Sequence, residues 1–466
     1  MPATLELDED RLLPVDTRTR AVARELYQAV ATLPILSPHG HVDPGLLLAD
    51  EPFSDPAELF ITRDHYITRL LHSAGIDLAA LGAGATADPR AIWALLAENW
   101  HLLAGTASGY WLTHELVTLF GIDVEPSRET AGATYDAIAS RLEKAAYRPR
   151  ALFDRFGIEV LATTDDPLDD LSTHAALAAD SSFSGRVLPT FRPDAYLDPT
   201  AADFVERAER LTATNGTPAD DFAGYLAALE ARRAYFVDHG AVSADHGVRE
   251  PYTVDLTDDE ASTLYVRAIA GRLDDAGARA FRGNMLLRMA GMSTRDGLVM
   301  TIHPGVLRNH STATFERYGA DTGHDIPLTT TYTENLRPLL ERYGLTPGLH
   351  IVLFTVDETV YSREVAPLAG FYPSVFVGAP WWFLDAPDAI LRFRASVTET
   401  AGFYRGSGFI DDTRAFLSIP ARHDMARRVD SAFLARLVGE GRISMSTALR
   451  IAVDLVDAVP RRAFKL

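Results

Sequence analysis

LPILSPHGHVDP, residues 33–44, runs an apolar stretch straight into His39 and His41, and the reading of these residues decides the fold. Side chains on a strand alternate faces, so two histidines at positions 39 and 41 point the same way if the strand continues through them. Such a pair can grip one metal ion. The same kind of text recurs at LPILSPH (33–39), IEVLATT (158–164), RVLPTF (186–191), LVMTIHP (298–304), HIVLFTV (350–356), PSVFVGA (373–379) and FYRGSGFI (403–410), each followed by helix-like sequence. Strands alternating with helices argue for parallel βα units, and runs apolar nearly throughout are expected when both sheet faces are buried. A less clear run at AYFVDHGAV (234–242) brings the number to eight. The natural closure is an α/β fold of the (β/α)8 TIM-barrel type, with a doubly wound open sheet as the alternative.

The distance from His41 to Ile158 is too long for an ordinary connection and reads as helices, so a large helical insertion is expected at about 44–157, after the first strand. A further helical stretch is expected at 201–232. From Arg422 onward, Val429, Phe433, Leu434, Leu437 and Val438 have the spacing of one helical face and predict a C-terminal helical segment. No repeat, low-complexity tract or linker interrupts the chain, and residues 1–466 read as one domain.

Composition narrows the function. Lys and Arg number 44 against 64 Asp and Glu, a formal net charge of −20. This surface repels phosphate backbones and anionic membranes, so nucleic-acid and membrane partners are not expected. An anionic substrate would have to be held by locally placed arginines. The absence of cysteine removes disulfides, thiolate metal sites and cysteine nucleophiles. The acidic start MPATLELDEDRLLPVD lacks the order of a signal peptide, and no stretch of about 18 uncharged apolar residues offers a membrane span. A cytoplasmic protein is the expectation.

Several strand ends carry chemistry. His39 and His41 close the first run. In DDTRAF (411–416), Asp412 and Arg414 have strand spacing right after the run taken as the last strand, which neighbours the first in a closed barrel. Asp412 could complete a His–His–Asp metal site or act as a base, and Arg414 could hold an anion. TFRPD (190–194) offers Arg192 and Asp194; IHPGVLRN (302–309) offers His303 and Arg308 across a glycine turn. Arginine suits a carboxylate because its planar fork pairs with it bidentately. Tyr66 in RDHYITRLL could polarise a carbonyl, Trp381 and Trp382 in GAPWWFLD could floor a pocket, and Asp245 and His246 rank lower. Taken singly, these are as easily core histidines, surface ion pairs and packing aromatics; their shared position at strand ends is what argues for one site. GAGATA (82–87) fits a dinucleotide pattern, but helix-like text precedes it where a strand is required, and there is neither a P-loop nor a G-x-S-x-G elbow.

SPHGHVDP, RDHY, TTDDPLDDL, TFRPD, SADHG, IHPGVLRN, GAPWWF and DDTRAFLS…RHD, in this order over nearly the whole chain, resemble the glucuronate (uronate) isomerases of the amidohydrolase superfamily. The resemblance implies a metal-dependent barrel that converts D-glucuronate to D-fructuronate, and the related galacturonate to tagaturonate, by an aldose–ketose isomerisation through an enediolate, as part of glucuronate catabolism. It implies a divalent metal, zinc by expectation, with no nucleotide cofactor, a small sugar-acid substrate and a homo-oligomer. Residue by residue, His39, His41 and Asp412 resemble metal ligands. Asp412, Arg414, Tyr66 and His303 resemble catalytic groups, and Arg192, Arg308 and Trp381 substrate-binding ones. Whether Asp412 is ligand, base or both stays open, as does the preferred uronate. A hydrolase or deaminase of the same superfamily, or a non-catalytic sugar-acid binding protein, are the competing readings.

Overall fold

The computed structural model describes residues 3–84 and 87–466; Ala85 and Thr86 of the GAGATA stretch and the first two residues lie outside it. Apolar runs become short strands in chain order: β1 (Ile35–Ser37), β2 (Ile158–Ala162), β3 (Arg186–Leu188), β4 (Thr190–Phe191), β5 (Ser243–Val248), β6 (Val299–Pro304), β7 (Val306–Leu307), β8 (Ile326–Pro327), β9 (Ile351–Leu353) and β10 (Val375–Val377). The chain is a mixed α/β protein with parallel sheets, one ordered β1-β2-β3 and one β10-β9-β6-β5-β4, while β7 and β8 form a separate antiparallel ribbon.

Backbone hydrogen bonds continue past the strand ends. Thr163 N–H donates to Leu188 O at 3.0 Å and Asp165 N–H to Thr190 O at 2.9 Å, tying the end of β2 to both β3 and β4. At the other margin Ser407 N–H donates to Val377 O at 2.9 Å, and His41 N–H to Thr413 O at 3.0 Å. Residues 406–413 therefore lie between β10 and the end of β1.

Two strand expectations are corrected. FYRGSGFI (403–410) is not a strand: Phe403–Arg405 is a 3-10 turn, and only Gly406 makes a bridge, to Val377. Gly408 takes φ +77°, and a Cβ there would meet Pro460 at 2.8 Å, so the glycine serves a close approach that breaks pairing. AYFVDHGAV (234–242) belongs mostly to the helix Phe222–Asp238, and the strand follows as Ser243–Val248.

The helical insertion is present, with helices Pro44–Ala49, His65–Ser73, Pro89–Glu98, Ala107–Thr118, Ala131–Leu142 and Pro149–Phe156. Asp43, Asp64, Asp88 and Thr106 cap four of them by accepting first-turn N–H bonds. Trp93, Leu96, Phe120 and Ile138 fill its core, which is continuous with Ile35 and Leu161 of the sheet. At the C-terminus, Ile419–Gly439 buries Val429, Phe433, Leu434 and Leu437 as the spacing requires. The last turn then folds back: Ala463 and Phe464 pack on Val299, Val352 and Phe376, while Lys465 Nζ donates to Gly297 O and Gly348 O. Those carbonyls precede β6 and β9, so the tail closes the N-terminal ends of the strands and leaves the C-terminal ends for the site. Among the described residues no helix is long and apolar enough to cross a membrane.

Candidate active site

His39, just beyond β1, is fully buried, and His41 follows with Nδ1 2.6 Å from Thr164 Oγ1. That contact turns His41 Nε2 toward Asp412 Oδ1, 2.9 Å away; His39 Nε2 lies 3.3 Å from the same oxygen. Among the described residues Asp412 Oδ1 nevertheless has no partner in hydrogen-bond geometry. Asp412 also takes φ +40°, a left-handed conformation that a non-glycine residue adopts at a cost and that aims its carboxylate at the imidazoles. From β6, His303 stacks on His39 with ring centroids 4.5 Å apart; its Nδ1 sits 2.6 Å from Asp245 Oδ1, leaving Nε2 buried and unpartnered.

One ligand atom from each of His39, His303 and Asp412 falls within 4.8 Å of the other two. Imidazole nitrogens and a carboxylate oxygen that converge without hydrogen bonding one another, with His303 braced from behind by Asp245 and His41 by Thr164, form a donor set that fits a divalent cation. The sequence grouped His41 with His39 and Asp412 and gave His303 a catalytic part; the tight trio contains His303, with His41 joined through Asp412. Burial pushes the Asp412 carboxyl up, but His39 and His41 outweigh it and hold it well below the usual carboxylate range. Asp245 is held down likewise, by His303, His39 and Arg192 against its burial.

Above the donor set opens a cavity of about 410 Å³. His41, Tyr66, Arg192, Arg308, Trp381, Asp412 and Arg414, all singled out in the sequence, line it, and Asp412 joins it to His39 and His303. Arg192 is steadied by Asp194 at 2.8 Å. Arg308 pairs with Asp325 at 2.9 Å and lies 4.8 Å over the Trp382 ring. Arg414 pairs with Asp321 at 3.3 Å. The ribbon β7–β8 brings the 308–325 segment over the mouth. It depends on Gly305, at φ +91°, where a Cβ would collide with Thr330 Oγ1 at 2.3 Å. Tyr66 follows the cap residue Asp64 and meets Trp111 edge-on.

Sequence reasoning missed Arg422, Asp321, Asp325 and His65 as lining residues, and ranked Asp245 too low. Arg422 stands in the RHD triplet, but helical text gives no sign of which of its three charged residues faces inward.

Behind Tyr66, Glu115 is buried beside Asp64 and has no ionic partner among the described residues, and burial, reinforced by the Asp64 charge and opposed by Arg422, pushes its carboxyl up to about 8. The folded chain thus keeps a proton that the unfolded chain releases near the ordinary carboxyl value. Stability is fully present below that value, falls by up to about 1.4 kcal/mol per pH unit as pH rises toward 8, and is constant beyond. Glu115→Gln is expected to flatten this slope, so that urea midpoints of variant and parent diverge progressively from pH 5 to pH 8. Parallel curves across that range would show that Glu115 is ionised in the folded protein.

The family model described as glucuronate isomerase matches residues 10–460. The uronate isomerase of Corynebacterium efficiens is 53% identical over 98% of both chains. The crystal structure of glucuronate isomerase from Caulobacter crescentus superposes with a TM-score of 0.97 at 46% identity, covering 99% of this chain and 98% of that one. The uronate isomerase of Thermotoga maritima gives a TM-score of 0.93 at 27% identity, over 98% of this chain and 99% of its own. A match of this extent, with the eight sequence motifs in order and six of them lining one cavity, means that the chain belongs to the glucuronate isomerase family.

Proposed function

We propose that this enzyme interconverts D-glucuronate and D-fructuronate, and accepts D-galacturonate for conversion to D-tagaturonate, by moving a proton between C2 and C1 of the open-chain sugar acid through an enediolate. The observation that carries this reading is the union, in one cavity, of a His/Asp donor set with arginines and a tyrosine hydroxyl. An acid with a carbonyl at its far end needs both. A hydrolase would have use for the donor set but not for this much positive charge in a strongly acidic protein.

The scaffold is read as a single (β/α)8 barrel domain. Support comes from the circuit β1, β2, β3–β4, β5, β6, β9, β10 and residues 406–413, eight members linked in turn by ladders or by the single backbone bonds above. An assembly of like chains is supported by Leu345 and Phe371, 65% and 71% exposed on adjoining segments.

His39, His41 or His303, and Asp412 would hold a divalent cation, zinc being the ion best matched to imidazole and carboxylate donors. Such an ion supplies Lewis acidity at the carbonyl oxygen. Asp412, kept ionised, turns one oxygen to the imidazoles and lines the cavity; it takes the C2 proton and returns it to C1, while the C2 hydroxyl proton passes to O1. Tyr66, whose hydroxyl burial holds well above its ordinary pKa, stays protonated and donates to the oxyanion as it develops. Arg414 adds positive charge at this end. Arg192 and Arg308 grip the distal carboxylate, Arg308 exchanging its Asp325 partner for that of the substrate. Trp381, edge-on to His303 at 4.8 Å, walls the sugar off from the core.

Assays of ketose formation from both uronates, with metal analysis of the purified protein, test the reading; no ketose from either sugar sinks it. Arg308→Ala should raise KM about 30-fold with kcat little changed, the loss of one charged hydrogen-bonding partner at about 2 kcal/mol. A collapse of kcat at constant KM would instead move Arg308 to the reacting end.

A further inference from the structure

Arg422 enters the cavity from the first turn of the helix Ile419–Gly439, and it differs in kind from the other arginines there. Arg308 and Arg414 are 47% and 40% exposed and bound to acids of the overlying segment. Arg422 is 1% exposed and fixed on several sides. Its Nε donates to Ser418 Oγ at 3.0 Å, and its Nη1 to Asp385 Oδ2 at 2.7 Å and, more weakly, to Asp411 O at 3.4 Å. The guanidinium carbon lies 3.6 Å above the Trp111 ring and 5.4 Å from that of Tyr66. Among the described residues Nη2 makes no hydrogen bond, yet it is not a sealed orphan either. It is the one uncommitted edge of a guanidinium otherwise used up, and it belongs to a residue of the cavity wall.

We propose that Arg422 is a further catalytic residue: Nη2 donates to the O1–O2 edge of the substrate, where negative charge gathers in the enediolate. Its neighbours locate it there, since it lies against Tyr66 and touches the backbone of Asp411, next to Asp412. It transfers no proton and stays charged throughout. Rigidity is the point. A donor already bound on its other edges and stacked on an indole has nothing to reorganise as charge develops, which is the condition for stabilising a transition state more than a ground state. Lysine cannot reproduce it, because an ammonium lacks the planar fork that satisfies Ser418 and Asp385 while leaving a third nitrogen free.

This inference rests on the isomerase reading. The two fail separately: a parent protein inactive on both uronates refutes that reading, whereas an active parent with an unimpaired variant refutes only the part given to Arg422. Arg422→Lys is expected to lower kcat on D-glucuronate by about 100-fold or more with KM within about threefold. Calorimetric binding of L-gulonate, which keeps the carboxylate but has C1 reduced to an alcohol, should be unchanged within the same factor. For Arg422→Ala, added guanidinium ion should restore kcat at least tenfold with KM and L-gulonate binding unmoved, a split that can be read even on a destabilised variant. A normal kcat in Arg422→Lys, a rise in KM and loss of L-gulonate binding without a fall in kcat, or no recovery with guanidinium would overturn the proposal.

Discussion

Asp412→Asn is expected to lower kcat by about a thousandfold or more while leaving the thermal melt, compared with that of the parent after both are stripped of metal, nearly unmoved. The two halves of this result have separate causes. Asparagine has the shape of aspartate and is, after glycine, among the residues that best tolerate the left-handed backbone that position 412 adopts at φ +40°. Asp412 Oδ1 enters no well-formed hydrogen bond inside the protein, so few internal contacts are forfeited. Activity has no such reserve. The carboxylate is the anionic member of the donor set and faces both His39 and His41 within 3.3 Å. An amide at this place can neither accept the C2 proton nor balance a divalent cation, and metal content after purification should fall along with kcat. Near-normal turnover by a folded Asp412→Asn would remove Asp412 from the chemistry and leave a histidine as the base.

What could be read in the sequence follows from how each element is buried. β1, β2, β6, β9 and β10 are covered on both faces and so appear as apolar runs. β5 is the strand that carries polar chemistry, Ser243, Asp245 and His246 among its six residues, and this polarity hid it behind the apolar end of the preceding helix. The pairing of His303 with Asp245 depends on the β5–β6 register, Asp245 opposite Thr301 and Gly247 opposite His303, which linear text does not carry. His39, His41 and Asp412 were legible because short spacing at strand ends suffices to aim side chains at one point. The acids that hold Arg308 and Arg414 were not. Asp321 and Asp325 reach the cavity only because the ribbon β7–β8 folds its segment back over the mouth.

The RHD triplet separates chemistry from stability over three consecutive residues, and Asp424→Asn is expected to show it. Two residues along a helix turn the side chain by about 200°, so Asp424 points away from the cavity that Arg422 faces. There it accepts from Arg11 Nη2 at 2.7 Å, Tyr110 OH at 2.8 Å, Arg428 Nε at 3.0 Å and Tyr27 OH. One carboxylate thereby fastens the N-terminal segment, the helix Thr17–Val30 and the insertion helix Ala107–Thr118 to the C-terminal helix. Burial pushes its carboxyl up, but Arg11 and Arg428 prevail and hold it below its ordinary value, so its contribution is present at neutral pH and is lost as the solution is acidified. Asparagine cannot neutralise two arginines whose side chains are 16% and 6% exposed. Removing one member of a buried ionic cluster costs about 3–5 kcal/mol, because the charges left behind remain desolvated. Urea unfolding should register this as a lower midpoint with an unchanged slope, while kcat, measured where the variant is still folded, stays at the parent value. A fall in kcat as large as that expected for Arg422→Lys would mean that the helix moves as one body when Asp424 is lost, and that the cavity depends on the same anchor as the fold.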